Sequence, residues 1–343
     1  MKTIFITGGA GYLGTNISLV ALEKGYRVVI LDNFKNAYTR HINKLKKVYP
    51  DRLFIHKGDV NNSSDLNVIF ENYTIDYIIH LAAYKYVGES ISNKDMYYTN
   101  NMGSLEKILE YAEKYCVQKF AFASSAVVYG NPDTYPTSED STLSPLSPYA
   151  ETKALGEEMI KTWNEKTGIA SIIYRFSNPI GAEPIYNLGD DSKKGVLNLL
   201  PYIVTKILNQ EPMEFKGNDH LTPDGTAVRD YIYICDLAQA VISLLEKYND
   251  DSTETINVSR AKGFSVLKLL QTVENRTNIK ANYSFKPKNQ GEASVSLLSA
   301  DKLHNKYQIY LDTDITKIVD SEISFRKKIN SRTKKNNRNS KKI

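Results

Sequence analysis

A chain of 343 residues, with 41% hydrophobic and 24% charged side chains, is long enough for one large α/β unit or a cofactor domain with a smaller partner, and its composition excludes general disorder. No apolar run reaches the length that crosses a bilayer. The two cysteines and five histidines are scattered, which gives neither a CxxC pair nor a metal-ligand spacing. The formal charge of +5 is unevenly spread: Arg326–Ile343 holds nine Lys/Arg and no acid, leaving 35 basic against 39 acidic side chains elsewhere. Residues 326–343 therefore read as a basic, flexible tail. No nucleic-acid or membrane partner is expected, and reduced Cys116 and Cys235 suit a cytoplasmic protein.

In chain order, Thr3–Thr7 is a short β-rich run, and Tyr12–Lys24 follows with apolar residues at helical spacing. Arg27–Leu31, Leu53–His56, Tyr77–Leu81 and Lys119–Ala123 are further buried-type strands, the last two each preceded by a helical pattern. A helix begins near Tyr149, and Ser171–Phe176 is the next strand. Strands alternating with helices predict a doubly wound parallel sheet of the Rossmann type. Beyond Asn178 the elements shorten, with helices at Leu199–Leu208 and Cys235–Lys247. The expected organisation is a cofactor domain at 1–178, a smaller substrate domain at 179–325 and the tail at 326–343. The boundary is soft, because Ile232–Ile234 can also return to the main sheet.

The turn after the first strand reads Thr7-Gly8-Gly9-Ala10-Gly11-Tyr12-Leu13-Gly14. Gly8 suits a tight turn, Gly11 a close backbone approach to a pyrophosphate, and Gly14 close helix packing, with the phosphates at the helix N-terminus. Asp32 ends the second strand, where a carboxylate accepts from ribose hydroxyls and repels a 2′-phosphate, favouring NAD over NADP. Asp59, after the third strand, suits a contact to the adenine. Tyr149 and Lys153 stand four apart on one helix face, so an ammonium can lower the pKa of a phenol that acts as a base. Ser125, in Phe122-Ala123-Ser124-Ser125-Ala126, can present a hydroxyl beside it.

The segments TGGAGYLG, ILDN, GDV, HLAAYKYVGES, SSAVVYG, SPYAETK, RFSNPIGA, NLLPYI and GNDHLTPDGTAVRDYI resemble the extended short-chain dehydrogenase/reductase family, in particular its UDP-glucose 4-epimerase branch, from Lys2 to about Asp301. The resemblance implies an isomerase that inverts C4 of a UDP-hexose (UDP-glucose/UDP-galactose) with NAD, through a transient 4-keto sugar. It makes Tyr149 the base and acid, Ser125 its hydroxyl partner and Lys153 the nicotinamide-ribose ligand. It places Tyr12, Leu13, Asn33, Val60, Lys85, Asn100 and Phe176 at the cofactor, and Asn178, Asn198, Leu199 and Arg229 at the UDP group. It also implies a homodimer through helices Tyr98–Tyr115 and Tyr149–Trp163.

The chain departs from the family pattern in places. The helix before Gly103 is one residue short, which shifts the register of Asn100, and Asn289 and Glu292 stand where an Arg and an Asp usually meet the UDP. Ser296 falls where a side chain gates the C2 substituent, so a small residue leaves room for an N-acetyl group. UDP-N-acetylglucosamine/UDP-N-acetylgalactosamine epimerisation and a catalytically weakened NAD-binding homologue are the alternatives. A 4,6-dehydratase is disfavoured, because Ala126 and Val127 stand where that chemistry needs an acid pair. A UDP-glucuronate decarboxylase is excluded less firmly.

Overall fold

In the computed structural model, which describes residues 1–288 and 293–339, Thr3–Thr7 (β1) is buried along its whole length. Arg27–Asp32 (β2), Leu53–Lys57 (β3), Tyr77–His80 (β4), Lys119–Ser125 (β5) and Ala170–Phe176 (β6) complete the strands of the first half. Tyr12–Glu23 (α1), Thr39–Val48 (α2), Ser63–Asn72 (α3), Val87–Ser92 (α4), Lys94–Lys114 (α5) and Pro148–Thr167 (α6) run between them. The second half adds strands Asn178–Ile180 (β7), Met213–Lys216 (β8), Val228–Tyr233 (β9), Thr253–Val258 (β10), Gly263–Ser265 (β11), Tyr283–Lys286 (β12) and Val295–Ser296 (β13). Its helices are Leu199–Asn209 (α7), Ile234–Lys247 (α8), Val266–Thr277 (α9), Asp301–Asn305 (α10) and Ile315–Asn339 (α11).

Seven parallel strands form the main sheet in the order β10-β6-β5-β4-β1-β2-β3. This is the doubly wound α/β fold that the alternation of elements implies. One face is covered by α1, α2 and α8, packed on Ile4, Ile6 and Val28. The other is covered by α3, α5 and α6, packed on Phe5, Val29 and Phe120. Each fully buried aliphatic side chain adds roughly 1.5–3 kcal/mol, so both faces fix the sheet strongly. Helix α6 has its ends written into the sequence: Ser147 accepts from the Ala150 N–H at 3.2 Å, Pro148 starts the first turn, and Gly168 closes it in the left-handed region (φ 67°).

The second unit has its own core, built by β7, α7, β9, α9 and α11. Only Ser177 separates β6 from β7, so this unit grows directly from the C-terminal end of the main sheet. The sheet's direction of winding reverses between β1 and β4, and their following loops open a crevice at that same end.

Three expectations are corrected. Ile232–Ile234 does not return to the main sheet, because Val228–Tyr233 is the central strand of the small sheet, flanked by β7, β11 and β13. Its buried Tyr231-Ile232-Tyr233 run has the look of a main-sheet strand because it is equally enclosed. The strand that does return is β10, with α8 and the segment around Leu303–Leu311 packing on the same core, so 179–325 is not one continuous unit. The basic tail is also not separate from the body at Arg326. Helix α11 runs through it to Asn339, with Phe325 and Arg326 buried.

Candidate active site

The crevice has a volume of ≈ 1060 Å³, part of it open to solvent. Its floor is the glycine turn. Gly8 has φ +66°, and a Cβ there would stand 2.9 Å from the Ala82 nitrogen, so the turns after β1 and β4 touch only because this residue is glycine. A Cβ on Gly14 would stand 2.5 Å from the Gly9 Cα, so the start of α1 lies directly on the turn. Helix α1 begins at Gly11 with no side-chain cap and no acidic residue in its first turn. Its first N–H groups, at Tyr12, Leu13 and Gly14, are left for an anion in the crevice.

Asp32 is pinned from two sides: Phe34 N–H donates to Oδ1 at 2.8 Å and Ala10 N–H to Oδ2 at 3.0 Å. Burial raises its pKa, against the pull of those N–H groups and of Lys193. A fixed carboxylate keeps its remaining lone pairs for a diol. Asn33 donates to Asp59 at 3.1 Å. Burial alone would raise Asp59, but the hydrogen bonds from Asn33 and Asn61 outweigh it and hold the carboxylate below its usual range. Val60, Lys85 and Asn100 line the same crevice, so the short helix pattern before Gly103 does not carry Asn100 away from it. An uncapped helix start, a glycine-rich turn and a pinned acid fit the pyrophosphate and ribose of a dinucleotide.

Sequence reasoning missed the loop that crosses the crevice mouth. Asp190, Asp191 and Ser192 line it. His41 and Arg40 hold Asp191, with His41 Nε2 at 2.8 Å. Lys193 reaches the Phe34 carbonyl at 2.8 Å, its own N–H meets the Asn36 carbonyl, and Lys194 reaches Glu89 on α4. Arg326 on α11 donates to the Asp190 carbonyl from beneath. The segment is thus strapped to both sides of the crevice.

Tyr149 stands in the first turn of α6, half-buried, with its ring edge-on to Tyr97 at 6.5 Å between centroids. Burial of the phenol pushes it up to about 12, and a hydrogen bond from Ser125 pulls the other way. Lys153, buried one turn on, is pushed down to about 7, with Glu157 opposing. Its Nζ lies 6.0 Å from the Tyr149 ring centroid and 4.5 Å above Phe122. The lowering of the phenol expected from Lys153 is therefore not what the protein atoms produce: desolvation wins. Asn101, also missed, ties the parts together: it accepts from Tyr84 N–H at 2.8 Å and donates to Thr152 at 3.1 Å. Phe176 pairs in register with Ser125 and its ring stacks on Tyr174; like Ser125, Tyr149 and Lys153, it is not among the residues that line the dinucleotide crevice.

The residues expected at the UDP group lie on the second unit. Asn178 opens β7. Asn198 precedes α7 and gives its amide to Asp190 at 2.5 Å instead of capping the helix, and Leu199 is the first residue of that helix. Arg229 and Ser296 are direct neighbours in the β9–β13 ladder. Asn289 and Glu292 lie outside the described residues.

Residues 4–259 match the family described as "NAD dependent epimerase/dehydratase family". The chain belongs to this family. Among its relatives, the chain is 34% identical over 292 residues to the UDP-glucose 4-epimerase of Bacillus subtilis (strain 168), covering 84% of this chain and 86% of the relative. It is 35% identical over 308 residues to UDP-glucose 4-epimerase 2 of Arabidopsis thaliana, covering 88% of each. The fold is similar to the crystal structure of UDP-glucose 4-epimerase from Bifidobacterium longum in complex with NAD+ and UDP, with a TM-score of 0.91 and 29% identity, covering 95% of this chain and 98% of that one. The glycine turn, Asp32 and the Tyr149–Lys153 pair all fall inside the segment that matches the epimerase/dehydratase family.

Proposed function

We propose that this protein is an NAD-dependent isomerase that interconverts UDP-glucose and UDP-galactose by inverting C4. The observation that carries the reading is Tyr149 in the first turn of α6 with the Lys153 ammonium 6.0 Å from its ring, on the same domain as a crevice that fits a dinucleotide. NAD, when bound there, supplies a hydride acceptor and donor and a positive charge beside the phenol. Tyr149 takes the proton of the C4 hydroxyl and returns it after the keto sugar has presented its other face. Ser125 holds the same hydroxyl and the phenol in line, and Lys153 binds the nicotinamide ribose and favours the phenolate. Asn178, Asn198, Leu199 and Arg229 anchor the UDP, Arg229 by forking onto the diphosphate, so that the sugar turns while its carrier stays. After Ser125, Ala126 and Val127 offer no group that could move a proton for water loss.

The reading is tested by turnover of UDP-galactose, read as UDP-glucose by a coupled assay, in the wild type and in Tyr149→Phe. The variant keeps UDP binding and loses at least about a hundredfold in kcat. Equal turnover of the two removes Tyr149 from the chemistry.

A second reading extends the substrates to the N-acetylhexosamines, because small Ser296 sits beside Arg229 in the ladder. Ser296→Tyr then removes turnover of UDP-N-acetylglucosamine and spares UDP-glucose; an unchanged preference rejects it. A homodimer through α5 and α6 is supported by exposed apolar side chains around these helices, Ile91 at 67% and Leu155 at 42%. Light scattering that gives a monomer mass refutes it. The cytoplasm suits two free cysteines, and among the described residues no helix is long and apolar enough to cross a membrane.

A further inference from the structure

Glu157 is a buried carboxylate two turns beyond Tyr149 and one beyond Lys153, so the three side chains share a face of α6. Ser124 Oγ donates to its Oε1 at 2.5 Å. Arg175 forks onto it, Nε at 3.0 and 3.2 Å from the two oxygens and Nη2 at 2.6 Å from Oε2. Ser124 and Arg175 are direct neighbours in the β5–β6 ladder, so two adjacent strands grip one side chain of the helix above them. Arg175 is held in turn, donating to the Tyr129 hydroxyl at 2.7 Å and the Glu139 carbonyl at 2.8 Å, and Tyr129 donates to Asn257 on β10 at 2.7 Å.

A buried ion pair returns little net stability, because desolvating both charges offsets their attraction. Packing alone does not call for it here. Its location does. At the preceding residue, Gly156, a Cβ would stand 2.9 Å from the Phe122 ring and 3.1 Å from Leu105, so α6 is drawn hard onto β5 at this turn. Lys153 Nζ lies over the same Phe122 ring, and Ser125, next along the strand from Ser124, meets the Tyr149 phenol.

We infer that Glu157, gripped by Ser124 and Arg175, is a positioning residue for the Tyr149–Lys153 pair: it fixes the roll of α6 and sets a carboxylate one turn behind Lys153 that favours its ammonium form beside the phenol. The inference rests on the assignment of Tyr149 as the proton-transfer group. The other groups around the pair do not duplicate this charge. His80 on β4 acts on Lys153 but is held neutral by burial and by Lys153 itself, its Nδ1 2.8 Å from the Thr7 hydroxyl. Tyr97 on α5 faces the Tyr149 ring, and Glu89 on α4 is engaged by Tyr97 and Lys194. On α6 itself, Glu151 is engaged by Tyr98 and Lys94.

The test uses the NAD-loaded protein and three variants: Glu157→Gln, Glu157→Asp and the paired Glu157→Met/Arg175→Met, which keeps volume without charge. Ionisation of Tyr149 is followed as tyrosinate absorbance from about pH 6 to about pH 11, against the same protein carrying Tyr149→Phe. Removing the charge moves the phenol to higher pH by about half a unit or more in Glu157→Gln and in the paired variant, and Glu157→Asp restores most of it. With UDP-galactose, kcat falls roughly tenfold while KM stays within about twofold. The phenol titration needs no turnover, so a wild type that ionises Tyr149 yet fails to act on UDP-galactose sinks the reaction and not the clamp. Should Glu157→Gln fail to fold, the paired variant decides alone. A folded paired variant whose phenol titration superimposes on the wild type overturns the inference.

Discussion

The ammonium of Lys194 lies 2.5 Å from the Glu89 carboxylate and thereby buckles the loop over the crevice to helix α4. On the opposite side, Lys193 fastens the same loop to the Phe34 carbonyl beside Asp32. Asp190, Asp191 and Ser192 line the same crevice as Asp32, so a dinucleotide with its adenosine at Asp32 would lie beside both fastenings.

Lys194→Ala is expected to speed loss of NAD on dilution by up to about fivefold, since a partly exposed ion pair contributes on the order of 1 kcal/mol at most. The hydrogen bond from Lys194 holds Glu89 below the usual carboxylate range. The contact therefore survives through that range and is lost only as pH falls below it, and added salt weakens it. NAD release rates measured against pH and salt in both proteins check this. A variant with wild-type release and the same salt dependence removes the buckle.

Asp32→Ser is expected to lower NAD affinity by roughly tenfold or more and to narrow the preference over NADP, because the pinned carboxylate both accepts from the ribose diol and repels a 2′-phosphate. Titration of each dinucleotide by protein fluorescence measures the ratio. An unchanged ratio means that discrimination lies elsewhere.

Arg326→Met is expected to cost about 3 kcal/mol of stability, because it leaves the Glu322 carboxylate buried without its partner. It also frees the Asp190 carbonyl at the root of the loop, so NAD retention falls with it. Glu322→Leu/Arg326→Met restores most of the stability and not the retention. Chemical denaturation and NAD release, measured side by side, separate the two effects. Wild-type stability in the single variant would return Arg326 to the solvated tail.

Lys153 carries a stability penalty of defined sign. Burial pushes its folded pKa down to about 7, below the unfolded value of 10.5, so the unfolded chain binds more protons between those limits. Stability from this group rises with pH across that window, and the full cost is present below it. Lys153→Met is therefore expected to raise the unfolding temperature at neutral pH and below while abolishing turnover. A lower unfolding temperature at neutral pH would show that the lysine stabilises the fold.

The parts legible in the sequence are those whose geometry is local. Gly8, Gly14 and Asp32 follow from one turn and one strand end, and Tyr149 with Lys153 from the pitch of a helix. Strand β10 escaped because it is an edge strand, half exposed at its start, and Thr253-Glu254-Thr255 lacks the apolar run that marks a central one. The fastening of Lys193 and Lys194 escaped because a charged loop has no period and its partners lie 159 and 105 residues away. The Glu157 clamp needs a helix and two strands assembled before its chemistry exists. Charge counting misled at the C-terminus: Glu322, Phe325 and Arg326 face inward on α11, and a cut at the first run of basic residues falls inside a packed helix.

The return of α8 and β10 to the main sheet has a mechanical consequence. The polypeptide leaves the seven-stranded layer after β6, builds part of the second unit, comes back to close the β6 edge, and leaves again. Neither half can be cut out as an autonomous piece: a fragment ending near residue 178 would bare the hydrogen-bonding edge of β6 and the groove that α8 fills, and so would self-associate. Heat should accordingly melt both halves in one cooperative step, because the backbone itself crosses between them more than once.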